Sequence, residues 1–101
     1  VKETLKTISL EMIISAVSDY FNISIAELKS NRRTQTIVMP RQIGMFLSRK
    51  LTRHSLPEIG NAFGGRDHTT VLHSCKKIDE LLESNKEVRF AVEKLTGVLS
   101  R

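Results

Sequence analysis

SLPEIGNAFGGRDHTTVLHSCKKI, residues 55–78, reads as two helices joined by a glycine turn. Ser55 and Glu58 form a capping box, in which each side chain satisfies a backbone N–H that the first turn leaves without a partner. Pro57 falls in that turn, where a missing donor does no harm. Ile59, Ala62 and Phe63 supply an apolar side. Gly64-Gly65 ends the helix, because glycine accepts the left-handed conformation common at helix ends. Asp67 is the expected N-cap of a second helix, running from His68 to about Ser84. On a 3.6-residue wheel Val71, Cys75, Ile78 and Leu82 share one side, flanked by Leu72 and Leu81. Thr69, His73, Lys76 and Lys77 lie opposite, with Thr70 close by. A short helix, a turn and a longer helix with a polar, basic outer face fit a helix-turn-helix. In that unit the second helix enters the DNA major groove and its N-terminal residues meet base edges. Two packed surface helices with a solvated outer side fit the same pattern.

Working outward, Val1 to Thr7 shows little hydrophobic periodicity and reads as a linker or the end of a connecting helix, with the domain itself at residues 8–101. Ser9 is the expected N-cap of a helix with Leu10, Ile13, Ile14, Val17 and Phe21 on one stripe, and Glu11 in its first turn suits the helix dipole. Ser24 and Glu27 form a second capping box, predicting a short helix from Ile25 to about Ser30. Asn31 to Thr36 is a polar, basic loop. A long helix is expected from at or a few residues before Pro40 to near His54, with Ile43, Phe46, Leu47 and Leu51 inward and Arg41, Ser48, Arg49 and Thr52 outward. Gly44 inside it weakens the helix by about 1 kcal/mol relative to alanine, which predicts a close neighbour there. Ser84 and Glu87 look like a third capping box, opening a last helix to about Leu99. No segment alternates as a strand does. The prediction is an all-α, six-helix domain.

A chain of 101 residues suits one such domain. Sixteen Lys and Arg against eleven Asp and Glu leave a net charge of +5, which favours a polyanionic partner. The distribution is more telling than the total. Between Glu27 and Glu58 there is no acid, while Lys29, Arg32, Arg33, Arg41, Arg49, Lys50 and Arg53 are all basic. Such a run reads as a phosphate-binding footprint or as a solvated surface lacking acids. The single cysteine permits no internal disulfide and suits a reducing, cytoplasmic setting. On the apolar side of its helix, Cys75 reads as a small buried hydrophobe. No apolar run reaches the roughly 18 residues of a membrane span, and no signal-peptide pattern is visible. The chain opens on Val1, so a piece of a longer protein is expected.

Enzyme chemistry finds little support. The phosphate loop Gly-x-x-x-x-Gly-Lys-[Ser/Thr] and His-Glu-x-x-His are both missing from the sequence. His68, His73 and Cys75 point apart on the wheel, so no metal site is expected. His54 reads as a capping or surface side chain. DNA binding accounts for more. Asp67 can accept from a cytosine amino group, Thr69 can meet a base or a thymine methyl, and His68 can donate to a base acceptor. Asp67 also has its capping job, and His68 leans toward the apolar flank of the wheel.

Gly65-Arg66-Asp67-His68-Thr69-Thr70-Val71-Leu72-His73, followed by Cys75-Lys76-Lys77-Ile78, resembles the signature of the bacterial replication initiator DnaA family. Ser55 to Gly60 and Pro40-Arg41-Gln42 fall where that family's C-terminal DNA-binding domain has them, and the similarity runs from about Ile8 to Leu99. The resemblance implies a Trp-repressor-like helix-turn-helix with a basic loop, binding double-stranded DNA at origin boxes. It implies base contacts from Asp67, His68 and Thr69 and a minor-groove contact from Arg33, for which Arg32 could substitute. It places Arg41, Gln42, Arg49, Leu56, Pro57, Arg66, Thr70 and Lys77 on the DNA backbone. Gln35 stands where the family often has a second loop arginine. For the parent protein it implies an AAA+ ATPase using ATP and Mg2+, contact with acidic phospholipid, and a regulatory protein able to cover the DNA-binding face. Asymmetric boxes suit a monomeric domain. A helix-turn-helix regulator that dimerises on palindromes, or a helical module binding an acidic protein, would share much of the pattern.

Overall fold

The computed structural model describes residues 7–101 and places six helices there, with no strand among the described residues. They are α1 (Leu10–Phe21), α2 (Ile25–Leu28), α3 (Gln35–Leu51), α4 (Leu56–Ala62), α5 (His68–Ser84) and α6 (Lys86–Leu99). Residues 1–6 of the expected linker lie outside the described residues. None of these helices is long and apolar enough to cross a membrane.

Helix starts follow local side-chain chemistry. Ser9 Oγ accepts from the Met12 amide at 3.1 Å, and capping boxes close at Ser24/Glu27 and Ser55/Glu58. Asp67 Oδ1 accepts from the Thr70 amide at 2.9 Å and opens α5. The expected box at Ser84/Glu87 is a correction. Helix α5 keeps winding through Ser84, leaving Asn85 extended, and Asn85 Oδ1 accepts from Val88 instead. One asparagine therefore ends α5 and starts α6. Helix α3 begins at Gln35, so Gln35 and Thr36 belong to it rather than to the loop. It carries Pro40 in its interior at the loss of one backbone bond. It ends at Leu51, where Thr52 turns extended and both its amide and hydroxyl bind Ser48 O.

Helix α3 is central, packing against all five other helices. Ile43 and Leu47 meet Ile13 and Val17 of α1, Ile59 and Phe63 around α4, Val71 and Ile78 of α5 and Leu95 of α6 in one apolar core. A helix surrounded this way has little free surface. That is why Arg41 and Ser48, expected outward, are buried at 5% and 0% exposure. Ser48 Oγ donates to Gly44 O at 2.8 Å, satisfying itself inside the helix. The close neighbour expected at Gly44 is Phe63, whose ring would lie 2.7 Å from a β-carbon at position 44.

The helical glycines therefore separate packing from propensity. Gly97 has open space around its missing β-carbon, so Gly97→Ala should raise unfolding free energy by about 1 kcal/mol. Gly44→Ala should lower it, because overpacking of about 1–3 kcal/mol opposes the same propensity gain. Urea unfolding of the two variants checks the opposite signs.

Candidate nucleic-acid interface

At the N-terminus of α5, Asp67, His68, Thr69 and Thr70 are all exposed. The core contact of α5 begins only at Val71, which is 0% exposed. The first turn therefore projects beyond the packed body. His68, on the apolar flank of the wheel, is exposed because a first-turn side chain can project forward off the helix end. Thr69 and His73 share the outer face, and Lys77 lies two turns beyond Thr70 on the same side. The Thr70 amide holds the Asp67 carboxyl below the usual carboxylate range. Only Oδ1 is used in that cap, so Oδ2 keeps its acceptor capacity.

The turn before α5 is built on close backbone approach. Gly60 O accepts from the Gly65 and Arg66 amides at 3.0 and 2.9 Å. Gly64 takes φ +94°, and a β-carbon there would stand 2.1 Å from Lys29 O. Only glycine lets the turn press against the end of the basic loop.

Two arginines complete that junction. Arg41 Nε donates to Leu28 O at 2.8 Å, and its Nη2 donates to Ser30 O and Arg32 O at 3.0 Å each. Arg66 donates to Phe63 O through Nη1 and to Ser30 O through Nη2. Burial lowers both guanidinium pKa values from the ordinary arginine value, and the charge of Arg66 lowers that of Arg41 further. Both remain cationic, as arginine does in proteins. The backbone-contact expectation for these two is thus modified. Most of Arg41 is engaged by loop carbonyls, and only its Nη1 edge, without a partner among the described residues, is left for a phosphate. Arg66 is half-buried and occupied by two carbonyls.

Across this junction runs a small cleft, with Asn31 and Arg33 on the loop side and Gly64, Arg66 and Thr70 on the turn side; Arg41 lines it too. A second groove lies between α3 and α5, with Arg49 and Lys50 facing Leu72 and Lys76. Arg33 and Arg49 therefore flank α5 through different clefts. Of the seven basic residues in the acid-free run, six are exposed and only Arg41 is buried. Leu56 is half-buried and Pro57 exposed at the start of α4. Gln42 is half-buried, with Oε1 covered and unpartnered among the described residues. Cys75 is buried beside Met45 O, and burial pushes its thiol pKa up, which suits the inert role read from its wheel position. His68 and His73 are exposed while Cys75 is not, so the three do not converge.

Sequence reasoning did not single out Asn31, Lys50 or Lys76 as site residues. Lys76 carried a usable signal, since it follows Thr69 by seven residues, or two helical turns. Asn31 carried none, because its place in the cleft depends on a turn more than thirty residues away.

A family model described as the bacterial dnaA protein helix-turn-helix matches residues 10–78. A chromosomal replication initiator protein DnaA from Geotalea daltonii is 50% identical over 93 residues, covering 92% of this chain and 21% of that protein. The chain thus spans about a fifth of that relative's length. A crystal structure of a DNA replication initiation factor superposes with TM-score 0.74 and 32% identity, over 85% of this chain and 26% of that one.

The caps at this site titrate. The Ser55 amide first, and His54 Nδ1 at 3.2 Å after it, hold Glu58 low, as the Thr70 amide holds Asp67. A carboxylate with a lowered folded-state pKa stabilises above its unfolded value, near 4, and that contribution is lost as pH falls through the folded value. Unfolding free energy should therefore drop as pH falls from about 5 toward 2. Asp67→Asn, which still caps, should show a shallower drop. Urea unfolding of both proteins at pH 3 and pH 6 measures the difference.

Proposed function

This chain belongs to the bacterial DnaA helix-turn-helix family, and on that premise we propose that it is the origin-recognition domain of a replication initiator, binding double-stranded DnaA boxes sequence-specifically. The supporting observation is the joint exposure of Asp67, His68 and Thr69 at the free end of α5, with Arg33 sharing a cleft with Thr70.

In this reading the first turn of α5 enters the major groove. Thr69 meets a base edge or thymine methyl, His68 donates to a base acceptor, and Asp67 accepts from a cytosine amino group through its free oxygen. Arg33 reaches the adjacent minor groove, where a narrow A·T-rich segment offers enhanced negative potential. One sugar-phosphate strand separates those two grooves. It runs past the cleft, within reach of Thr70 and the open edge of Arg41. Lys77, Arg49, Gln42 and the start of α4 at Leu56–Pro57 meet the flanking phosphates. Phosphate contacts set the register and base contacts set the sequence.

The asymmetry of this arrangement suits a monomeric domain on a non-palindromic box. The rest of the parent protein would carry the AAA+ ATPase, using ATP and Mg2+, since this chain has no phosphate loop. Contact with acidic phospholipid, and a regulatory protein that competes with DNA for the exposed end of α5, are part of the same proposal. So is work at the nucleoid in the bacterial cytoplasm.

Fluorescence anisotropy with a DnaA box and a scrambled duplex at two salt concentrations tests the reading. Thr69→Ala should weaken box binding by about 1–3 kcal/mol and leave scrambled binding nearly unchanged. Arg49→Ala should weaken both duplexes alike and flatten the salt slope by about 1. Parallel loss on both duplexes from both variants would contradict the division between base and phosphate contacts.

A further inference from the structure

We infer that Arg66 is a positioning residue that fixes the basic loop at a set distance from the reading end of α5, so that the domain measures the spacing between two grooves. The inference rests on the DNA-binding reading above. Arg66 precedes the N-cap of α5 by one residue, and its guanidinium reaches 36 positions back along the chain to Ser30 O. Through its other terminal nitrogen it holds Phe63 O, at the end of α4. One planar group therefore ties the loop, the turn and the start of α5 together.

The neighbouring contacts act in the same direction. Ser30 O also accepts from Arg41, which carries Arg32 O as well and so anchors the loop to α3. Lys29 O fills the space that a β-carbon at position 64 would need. Asn31, Arg32 and Arg33 themselves are exposed and lie outside any helix. The tethers at Ser30 and Arg32 fix the backbone from which Arg33 projects. A lysine at position 66 could hold one carbonyl but not two in a fixed fork, because its ammonium is a single point on a flexible stem.

The alternative role for Arg66 is a direct phosphate contact, and energetic coupling separates the two. The titrations use the unmodified protein, Arg33→Ala, Arg66→Lys, the double variant, and Thr69→Ala alone and combined with Arg66→Lys. Each is titrated onto a box duplex, a scrambled duplex, and a box with one base pair inserted between its A·T-rich minor-groove segment and its major-groove segment. With Arg66 present, Arg33→Ala should weaken box binding about tenfold. With Lys at position 66 that loss should shrink to less than about threefold, while the Thr69→Ala loss stays the same size. On the inserted duplex, the unmodified protein and Arg33→Ala should bind alike, because a fixed loop cannot follow the displaced groove. This arm keeps Arg66, so an Arg33→Ala loss that persists there overturns the inference even if Arg66→Lys does not fold.

An Arg33→Ala loss of equal size in both Arg66 backgrounds would overturn the inference. So would an Arg33→Ala loss that persists on the inserted duplex. Uniform weakening by Arg66→Lys with a flatter salt slope and no coupling to Arg33 would make Arg66 a phosphate contact instead. If the unmodified protein fails to distinguish box from scrambled duplex, the DNA-binding reading itself fails, and the inference falls with it.

Discussion

A single carbonyl oxygen, that of Ser30, accepts hydrogen bonds from two guanidinium groups, and the candidate interface is arranged around it. Arg41 reaches it from α3 and Arg66 from the turn before α5. Covered cations need compensation, and a carboxylate is the usual partner. Here backbone carbonyls at the C-terminal end of α2 and in the loop take that part, offering acceptors that no helix partner uses. The guanidinium fork suits this task because its donors are planar and fixed in direction. The result is a loop held by its backbone, with the side chain of Arg33 left at the surface.

The same economy governs α5. Its apolar side is locked into the core from Val71 to Ile78, and His68, Thr69 and Thr70 before it are exposed. Asp67 both starts that helix and sits at its exposed tip. The cap uses one carboxylate oxygen and leaves the other at the surface. Helix α3 supplies the rigidity behind this end by packing against every other helix. Its burial is also what turns Arg41 from a surface charge into an internal tether.

Features that depend on a few neighbouring residues could be read directly. The caps at Ser9, Ser24, Ser55 and Asp67 form as their spacing implies, and the glycine turn falls where Gly64-Gly65 places it. Departures arise where two local options compete or where a distant element intervenes. Ser84 and Asn85 offer equivalent cap acceptors, and the choice between them follows from how far α5 keeps winding. A two-sided wheel misplaces Arg41 and Ser48 because α3 has neighbours on nearly all sides. His68 leans to the apolar flank yet is exposed, because its turn lies ahead of the stretch of α5 whose apolar side meets the core.

By itself the sequence determined the helical class, most helix starts, the apolar stripes and the set of basic and polar residues from which an interface could be made. These follow from capping chemistry and periodicity, which act over three to seven residues. Only the tertiary structure decided that Arg33 and Thr70 share one cleft, that Arg49 flanks α5 through another, and that Arg41 and Arg66 grip the loop from inside. Those relations join residues up to 36 positions apart, and side-chain spacing along a chain carries no information about where such distant carbonyls and guanidinium groups will meet once the core has closed.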